Sequence, residues 1–347
     1  AVNTVVNRDG KLYGYNTDYT GFQYMVRKHG VRMNGKKVLI IGNGGASAAV
    51  QAVVRHEGAA QMVIVDIVEG NGAISYEECY RSHLDAQVII NTSPVGMYPH
   101  GDAAPVDLER FARCEAVMDV IYNPLMTRLC QQARKRGLVH VNGLEMLVAQ
   151  AKQAVEHFLD KPVNDEVIDE IYRRLIAERC NIVLIGMPSA GKTSIASLTA
   201  ARCGKRYIDM DDIIVETAGR SIPEIFAEEG EEGFRQRERD AAAQLGTANG
   251  MIISCGGGVI KNEANMDALR QNGVVFFIDR DLSQLISTDS NRPLSSSKEA
   301  LAEMYAQRIG LYRRYADVIV DNNGDIETAA EAIAAQYAQA IHRALSE

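Results

Sequence analysis

Gly186, Gly191, Lys192 and Thr193 stand at the spacing Gly-x-x-x-x-Gly-Lys-Thr. A loop of that pattern suits one chemistry. Its backbone N–H groups and the helix N-terminus behind it cradle phosphates, the lysine reaches the β- and γ-phosphates, and the hydroxyl meets Mg²⁺. The geometry needs a strand before the loop and a helix after it. The apolar run Asn181-Ile-Val-Leu-Ile185 supplies the first, and Ser194 to Cys203 has the composition of the second. Gly186, Ser189, Ala190, Gly191, Lys192, Thr193 and Ser194 are therefore the expected ATP contacts. Downstream, Tyr207-Ile-Asp-Met-Asp-Asp212 ends a strand. A period of two puts Asp209 and Asp211 on one face, with Asp212 as the expected cap of the next helix. Two carboxylates beside such a loop can serve a magnesium shell and a substrate hydroxyl. The loop alone leaves the acceptor open.

A second glycine cluster, Gly42-x-Gly44-Gly45-Ala-Ser47, also follows an apolar run and precedes a helical stretch, Ala48 to Glu57. There Gly42, Asn43, Gly44, Gly45, Ala46 and Ser47 would turn tightly against a dinucleotide pyrophosphate. Asp66 closes the next strand about twenty residues on, where a carboxylate bonds the ribose 2′-hydroxyl of the cofactor.

These loops need buried parallel sheets to hold them. Further strands are expected at 61–66, 87–91, 116–121 and 138–141, then at 207–209, 251–255, 274–279 and 317–321. Strands alternating with helices give an α/β fold of two doubly wound parallel-sheet domains. A charged helical connector, Lys161 to Arg179, sets the expected boundary near residue 175, giving a dinucleotide-binding Rossmann domain over 1–175 and a P-loop domain over 176–347. The chain's 347 residues suffice for both, and 46% hydrophobic with 24% charged residues is a globular composition. Its net charge of −8 argues against a general nucleic-acid binder. No apolar run reaches the roughly 18–20 residues of a membrane span, and no signal-peptide pattern opens the chain. Six cysteines, Cys79, Cys114, Cys130, Cys180, Cys203 and Cys255, show no zinc spacing. The expectation is a reducing cytoplasm, no structural metal, small-molecule partners, and compatibility with a homo-oligomer.

Gly233-Phe-Arg235, Ser254-Cys-Gly-Gly-Gly258, Asn291-Arg-Pro-Leu294 and Leu311-Tyr-Arg-Arg314 follow the P-loop and the acidic strand end in order. Together these segments, over about residues 181–323, resemble the shikimate kinase family. The resemblance implies a nucleoside-monophosphate-kinase-like domain that converts shikimate to shikimate 3-phosphate with Mg-ATP. By resemblance Asp211, Arg235, Gly257, Gly258 and Arg313 hold shikimate, while Asp209 and Ser254 join Thr193 at magnesium. The residue types suit that chemistry, since two arginines match the carboxylate of a small anionic triol and Asp211 can orient or deprotonate the attacking hydroxyl. Arg292 would close over the γ-phosphate. Lys192, Asp211 and Arg292 are thus the expected catalytic set. Two departures stand out. Ser189 replaces a usual glycine, and Gln284-Leu-Ile-Ser-Thr-Asp289 lacks the arginine that stacks on adenine in the family. The competing readings are a nucleotide-binding scaffold with degenerate kinase activity, and a P-loop kinase for another small acceptor such as gluconate or a nucleotide.

The first half carries Ala1-Val-Asn-Thr4, Gly14-Tyr-Asn-Thr-Asp18, Asn91-Thr-Ser-Pro-Val-Gly-Met97, Tyr122-Asn-Pro-Leu125 and Asn142-Gly-Leu-Glu-Met-Leu-Val-Ala-Gln150. Over about residues 1–160 these resemble the shikimate dehydrogenase family, which makes the substrate of the kinase step from 3-dehydroshikimate. The resemblance adds Asn91 and Thr92 to the dinucleotide site and implies shikimate contacts from Asn3, Asp18, Tyr122 and Gln150. The family's catalytic lysine and substrate-binding serines have no counterpart in these residues, so shikimate oxidation is not expected. Where the family has Asn-Arg-Thr to clamp an NADP 2′-phosphate, this chain reads Val65-Asp66-Ile67. Of NAD and NADP, a carboxylate there favours NAD.

Overall fold

The computed structural model describes residues 2–285 and 298–346. It divides into two compact units, Ala1–Ile176 with Leu345–Glu347, and Ala177–Ala344. The first unit begins with a hairpin, β1 (Thr4–Arg8) and β2 (Lys11–Tyr15), followed by α1 (Thr17–Lys28). Then come β3 (Lys37–Ile41), α2 (Gly45–His56), β4 (Gln61–Val65), β5 (Ala73–Ile74), α3 (Tyr76–Ser82), β6 (Val88–Asn91), β7 (Ala116–Asp119), α4 (Arg128–Lys135), β8 (Val139–Val141) and α5 (Leu144–Leu159). Helix α6 (Glu166–Arg179) leads on to β9 (Asn181–Ile185), α7 (Lys192–Cys203), β10 (Arg206–Asp209), α8 (Met210–Ala218), α9 (Ile222–Gly246) and β11 (Met251–Ser254). The chain continues through α10 (Glu263–Leu269), β12 (Gly273–Asp279), α11 (Lys298–Tyr315), β13 (Val318–Asp321) and α12 (Ile326–Ser346).

Strands β3 to β8 form one parallel sheet in the order β5-β4-β3-β6-β7-β8. Counted within the sheet this is 3-2-1-4-5-6, the doubly wound dinucleotide order, and it opens a crevice at the carboxyl ends of β3 and β6. The strands are apolar on both faces because helices cover both. In β3, Val38 and Ile40 pack with Phe22, Met25 and Val50 on one side, while Leu39 and Ile41 pack with Leu108, Phe111 and Leu129 on the other. Deep beside this core, Glu145 of α5 meets Lys28 Nζ at 2.6 Å and His29 Nε2 at 2.5 Å. Burial alone would raise the Glu145 carboxyl, and these two partners hold it below the usual range.

The second sheet is also parallel, in the order β10-β11-β9-β12-β13. All five residues of β9 are buried, so its carboxyl end delivers the following loop from the middle of the sheet. The ends of β10 and β11 emerge on the same edge, since their registers align Asp209 with Ser254 and Ser254 with Leu184. Every expected strand is present to within one or two residues at each end. The β1–β2 hairpin is an addition, closed by Asp9 and Gly10 at positive φ in a two-residue turn.

One helix start differs from expectation. Strand β10 stops at Asp209, whose carboxylate accepts the Asp211 N–H at 3.0 Å as the cap of α8. Asp211 and Asp212 therefore belong to the first helical turn. The cap is Asp209 rather than Asp212, and Asp211 shares no strand face with Asp209.

Candidate functional site

In the second unit the ends of β9, β10 and β11 and the helices α9 and α11 enclose a cavity. Lys192, Thr193, Asp209 and Ser254 line one part of it; Asp211, Arg235, Glu238, Gly257, Gly258 and Arg308 line another. The phosphate end is built by the loop before α7. That helix starts at Gly191 with no capping side chain, so its first N–H groups are not spent on a cap, unlike those of α1, α4 and α8, which Asn16, Thr127 and Asp209 satisfy. Lys192 is buried and its Nζ donates back to the carbonyls of Gly186 (3.0 Å) and Met187 (2.9 Å). Thr193 Oγ1 donates to Asp209 Oδ2 at 2.8 Å. Asp209 thus holds the α8 N-terminus with one oxygen and the loop hydroxyl with the other. A hydroxyl and a carboxylate are hard oxygen donors, and they fit a magnesium ion that completes its shell from substrate phosphates and water. Ser254 is buried at the neighbouring strand end. Ser189 sits at φ +64°, a left-handed conformation that glycine adopts freely and a serine adopts at a cost of roughly 1–2 kcal/mol. Ala190 is fully buried and Ser194 exposed on α7, so neither side chain faces the cavity lining.

The acceptor end is carried by α9, α11 and the turn after β11. Arg235 Nη1 donates to Glu238 Oε2 at 2.9 Å, and both sides of this ion pair are largely buried. Burial raises the Glu238 carboxyl while the Arg235 charge opposes the rise. A β-carbon on Gly258 would lie 2.2 Å from Arg235 Nη1, so only glycine lets the guanidinium lie against that turn. Asp211 Oδ1 lies 2.8 Å from where a β-carbon on Gly256 would be, at the same turn. Ile222, Phe226, Phe234 and Met304 add an apolar wall, with the two phenyl rings stacked at 4.7 Å.

The second arginine lining the cavity is Arg308 rather than the expected Arg313. Arg313 is exposed, 3.7 Å from Asp279 in an ion pair, and does not line the cavity. Arg308, buried on the same helix, does; its Nη1 donates to the Gly257 carbonyl at 2.9 Å, which also accepts from Tyr312 at 2.6 Å. Arg308 and Tyr312 are one helical turn apart and share a face, a spacing that could have identified the arginine. The three-residue step from Arg235 to Glu238 is the corresponding signal for the buried glutamate. Arg292 lies outside the described residues, as does most of the Gln284–Asp289 segment.

In the first unit the glycine loop stands at the crevice between β3 and β6. Gly42 has φ +95°, and a β-carbon there would come within 2.9 Å of the Ser93 nitrogen, so the loop packs directly on the turn after β6. Gly44 and Gly45 are exposed with open space before them, and α2 starts at Gly44 without a capping side chain. Ala46 follows in its first turn. An exposed, uncapped helix N-terminus behind small residues fits a pyrophosphate. Asp66 accepts from the Asn43 N–H (2.7 Å) with one oxygen and the Val68 N–H (3.0 Å) with the other, fixing its carboxylate at the loop. Ser47 is buried and accepts from Gln51.

Asn91 and Thr92 serve the scaffold. Asn91 is fully buried, donates to Asp119 (3.1 Å) and Val95 O (3.2 Å), and accepts from Ser93. Its amide is turned into the protein, so the expected cofactor contact through that side chain is corrected to a structural one. Thr92 Oγ1 contacts the carbonyls of Ile41 and Gly42. Asp119 beneath them is fully buried; burial pushes its carboxyl up to about 7 despite donors from Ile121, Thr127 and Asn91. Of the four expected substrate residues, Asn3 donates to Asp18 at 3.1 Å, and Gln150 packs against Gly21, one turn along α1 from Asp18. Tyr122 is exposed after β7.

A family model for shikimate kinase matches residues 188–342. A shikimate kinase of Thiobacillus denitrificans is 40% identical over 152 residues, which cover 42% of this chain and 83% of that protein. A shikimate dehydrogenase (NADP⁺) of Clostridium perfringens is 33% identical over 185 residues, covering 50% of this chain and 68% of that protein. Among solved structures, a shikimate kinase from Acinetobacter baumannii in complex with shikimate is 30% identical with a TM-score of 0.45, covering 48% of this chain and 96% of that one. The chain spans about two thirds of the length of the dehydrogenase relatives it matches. No helix among the described residues is long and apolar enough to cross a membrane. The second half of the chain belongs to the shikimate kinase family and the first half to the shikimate dehydrogenase family, joined in one polypeptide.

Proposed function

We propose that the second unit transfers the γ-phosphoryl group of ATP to the 3-hydroxyl of shikimate, with Arg235 and Arg308 binding the substrate carboxylate and Asp211 facing its hydroxyls. The observation that carries this reading is one cavity holding a phosphate loop at one part and two buried or half-buried arginines beside a carboxylate at another. Arg235 is held by Glu238 and Arg308 by the Gly257 carbonyl, so both forks are preorganised before substrate arrives. The ring of the acceptor would rest on Ile222, Phe226, Phe234 and Met304.

Reaction requires the acceptor O–H to lose its proton as the new O–P bond forms and the bond from phosphorus to the β,γ-bridging oxygen breaks, releasing ADP. Asp211 accepts that proton or orients the hydroxyl that loses it. Lys192 leaves the carbonyls of Gly186 and Met187 for the β- and γ-phosphates, and the N–H groups at the α7 N-terminus hold the phosphate oxygens. Magnesium, held through Thr193 and Asp209 with Ser254 nearby, would neutralise phosphate charge. Shikimate-dependent ADP release from the full chain tests the proposal; release that does not depend on shikimate, or is equal with an acceptor lacking the carboxylate, overturns it.

For the first unit the reading is a dinucleotide site that prefers NAD(H). What supports it is Asp66, whose carboxylate is fixed at the loop by two backbone N–H groups. A ribose 2′-hydroxyl can donate to it, whereas a 2′-phosphate of about −2 charge is repelled. Cytoplasmic residence belongs to the same reading. Titration with NAD(H) and NADP(H) decides the preference.

A further inference from the structure

The loop that cradles phosphate must present N–H groups inward, which means its carbonyl oxygens must be held elsewhere. Lys192 occupies those of Gly186 and Met187. The carbonyl of Ala190, next to Gly191, is held by a residue from a distant strand end: Asn322, just past β13, donates from Nδ2 to Ala190 O at 2.8 Å. Asn322 is fully buried, and its own N–H is tied to the Asp279 carbonyl at 2.8 Å, so the side chain issues from a fixed point at the ends of β12 and β13. It also approaches Gly191 closely; a β-carbon there would lie 3.2 Å from Nδ2.

The amide has one acceptable orientation. Turned over, it would set Oδ1 against the Ala190 oxygen, two acceptors facing each other. In the orientation adopted, Oδ1 is buried with no hydrogen-bond partner among the described residues. An orphaned buried acceptor opposes stability, and such groups call for an explanation in the surrounding structure. Here the explanation is the hold on Ala190.

We propose that Asn322 is a positioning residue for the nucleotide phosphates: it holds the Ala190 carbonyl away from the phosphate cradle so that the Gly191 N–H of the same peptide faces the anion. This rests on the reading of the Lys192 loop as the ATP site. Loss of the amide frees the carbonyl to turn toward the phosphates, where its dipole repels them. The acceptor end has no part in the contact, so shikimate affinity is independent of it.

Calorimetric titration of the full chain with Mg-ADP and, separately, with shikimate tests this for the parent, Asn322→Asp and Asn322→Ala, alongside their melting temperatures. The expected result is roughly tenfold weaker Mg-ADP binding in Asn322→Ala, about 1.4 kcal/mol, and a larger loss in Asn322→Asp, which sets oxygen against oxygen. Shikimate affinity stays within about twofold of the parent, while the melting temperature of Asn322→Ala falls because the buried Ala190 carbonyl loses its donor. Should Asn322→Asp fail to fold, Asn322→Ala decides. Folded variants that bind Mg-ADP as the parent does overturn the inference, as does equal weakening for both ligands or failure of both variants to fold. A parent that binds no Mg-ADP removes the ATP-site reading itself.

Discussion

The guanidinium of Arg308 donates to the carbonyl of Gly257 at 2.9 Å, joining α11 to the glycine turn after β11 at the acceptor end of the cavity. Tyr312 binds the same oxygen from the next helical turn. The contact uses Nη1, and a guanidinium fork held in this way suits a carboxylate.

From this contact, Arg308→Ala is expected to raise the KM for shikimate by on the order of ten- to a hundredfold, the value of a charge-assisted hydrogen bond. Arg313→Ala, which breaks an exposed ion pair, is expected to change it by less than about twofold. Steady-state kinetics on the two variants separates the roles, and the opposite ranking would return the carboxylate site to Arg313.

Ser189 holds a left-handed conformation in the phosphate loop. Ser189→Gly removes a penalty of roughly 1–2 kcal/mol and adds about 0.5–1 kcal/mol of unfolded-chain entropy, for a small net gain in stability. Thermal unfolding of the full chain should show a higher melting temperature for the unit carrying the loop. A lower one would mean that the serine side chain contributes more than its backbone costs.

The sequence revealed the strands because buried parallel strands are continuous apolar runs, and the two loops because their glycines sit between such a run and a helix. It concealed what depends on where one element stops. Asp211 looked like a strand residue because the period of two was carried past Asp209, where a side-chain cap ends β10 and starts α8. The resemblance points to Arg313, but five positions turn a helix by about 140°, and it is Arg308 that faces the cavity. The hairpin of β1 and β2 was legible in Asp9-Gly10, a two-residue turn signal that the larger pattern overshadowed. The resemblance places Asn91 at the dinucleotide, and only the fold shows Asp119 beneath it.

Asp119 gives the first unit a pH dependence. Its folded carboxyl is raised to about 7 by burial, so between its unfolded value and 7 the folded state holds the extra proton. The stabilisation is fully present below the unfolded value and is lost as pH rises through 7. Relative to Asp119→Asn, the melting temperature of this unit is expected to fall from pH 4 to pH 8. A carboxyl resonance titrating near pH 4 would contradict this.

In the proposed reading, cofactor choice in the first unit rests on the Asp66 carboxylate. Asp66→Asn combined with Ile67→Arg is expected to move the preference toward NADP(H) by tenfold or more, roughly 1.4 kcal/mol or greater, by replacing repulsion with a charge-assisted contact. Fluorescence titration with the reduced cofactors reads the ratio, and an unchanged ratio would mean that Asp66 does not set the preference.

The most direct test is shikimate-dependent ADP release by the full chain and by Lys192→Ala at saturating shikimate. The lysine is buried in the loop, where its Nζ donates to the carbonyls of Gly186 and Met187. The expected result is turnover in the parent only when shikimate is present, and a loss of about a hundred- to a thousandfold in Lys192→Ala with shikimate binding intact. Near-parental turnover in Lys192→Ala, or ADP release indifferent to shikimate, would contradict it.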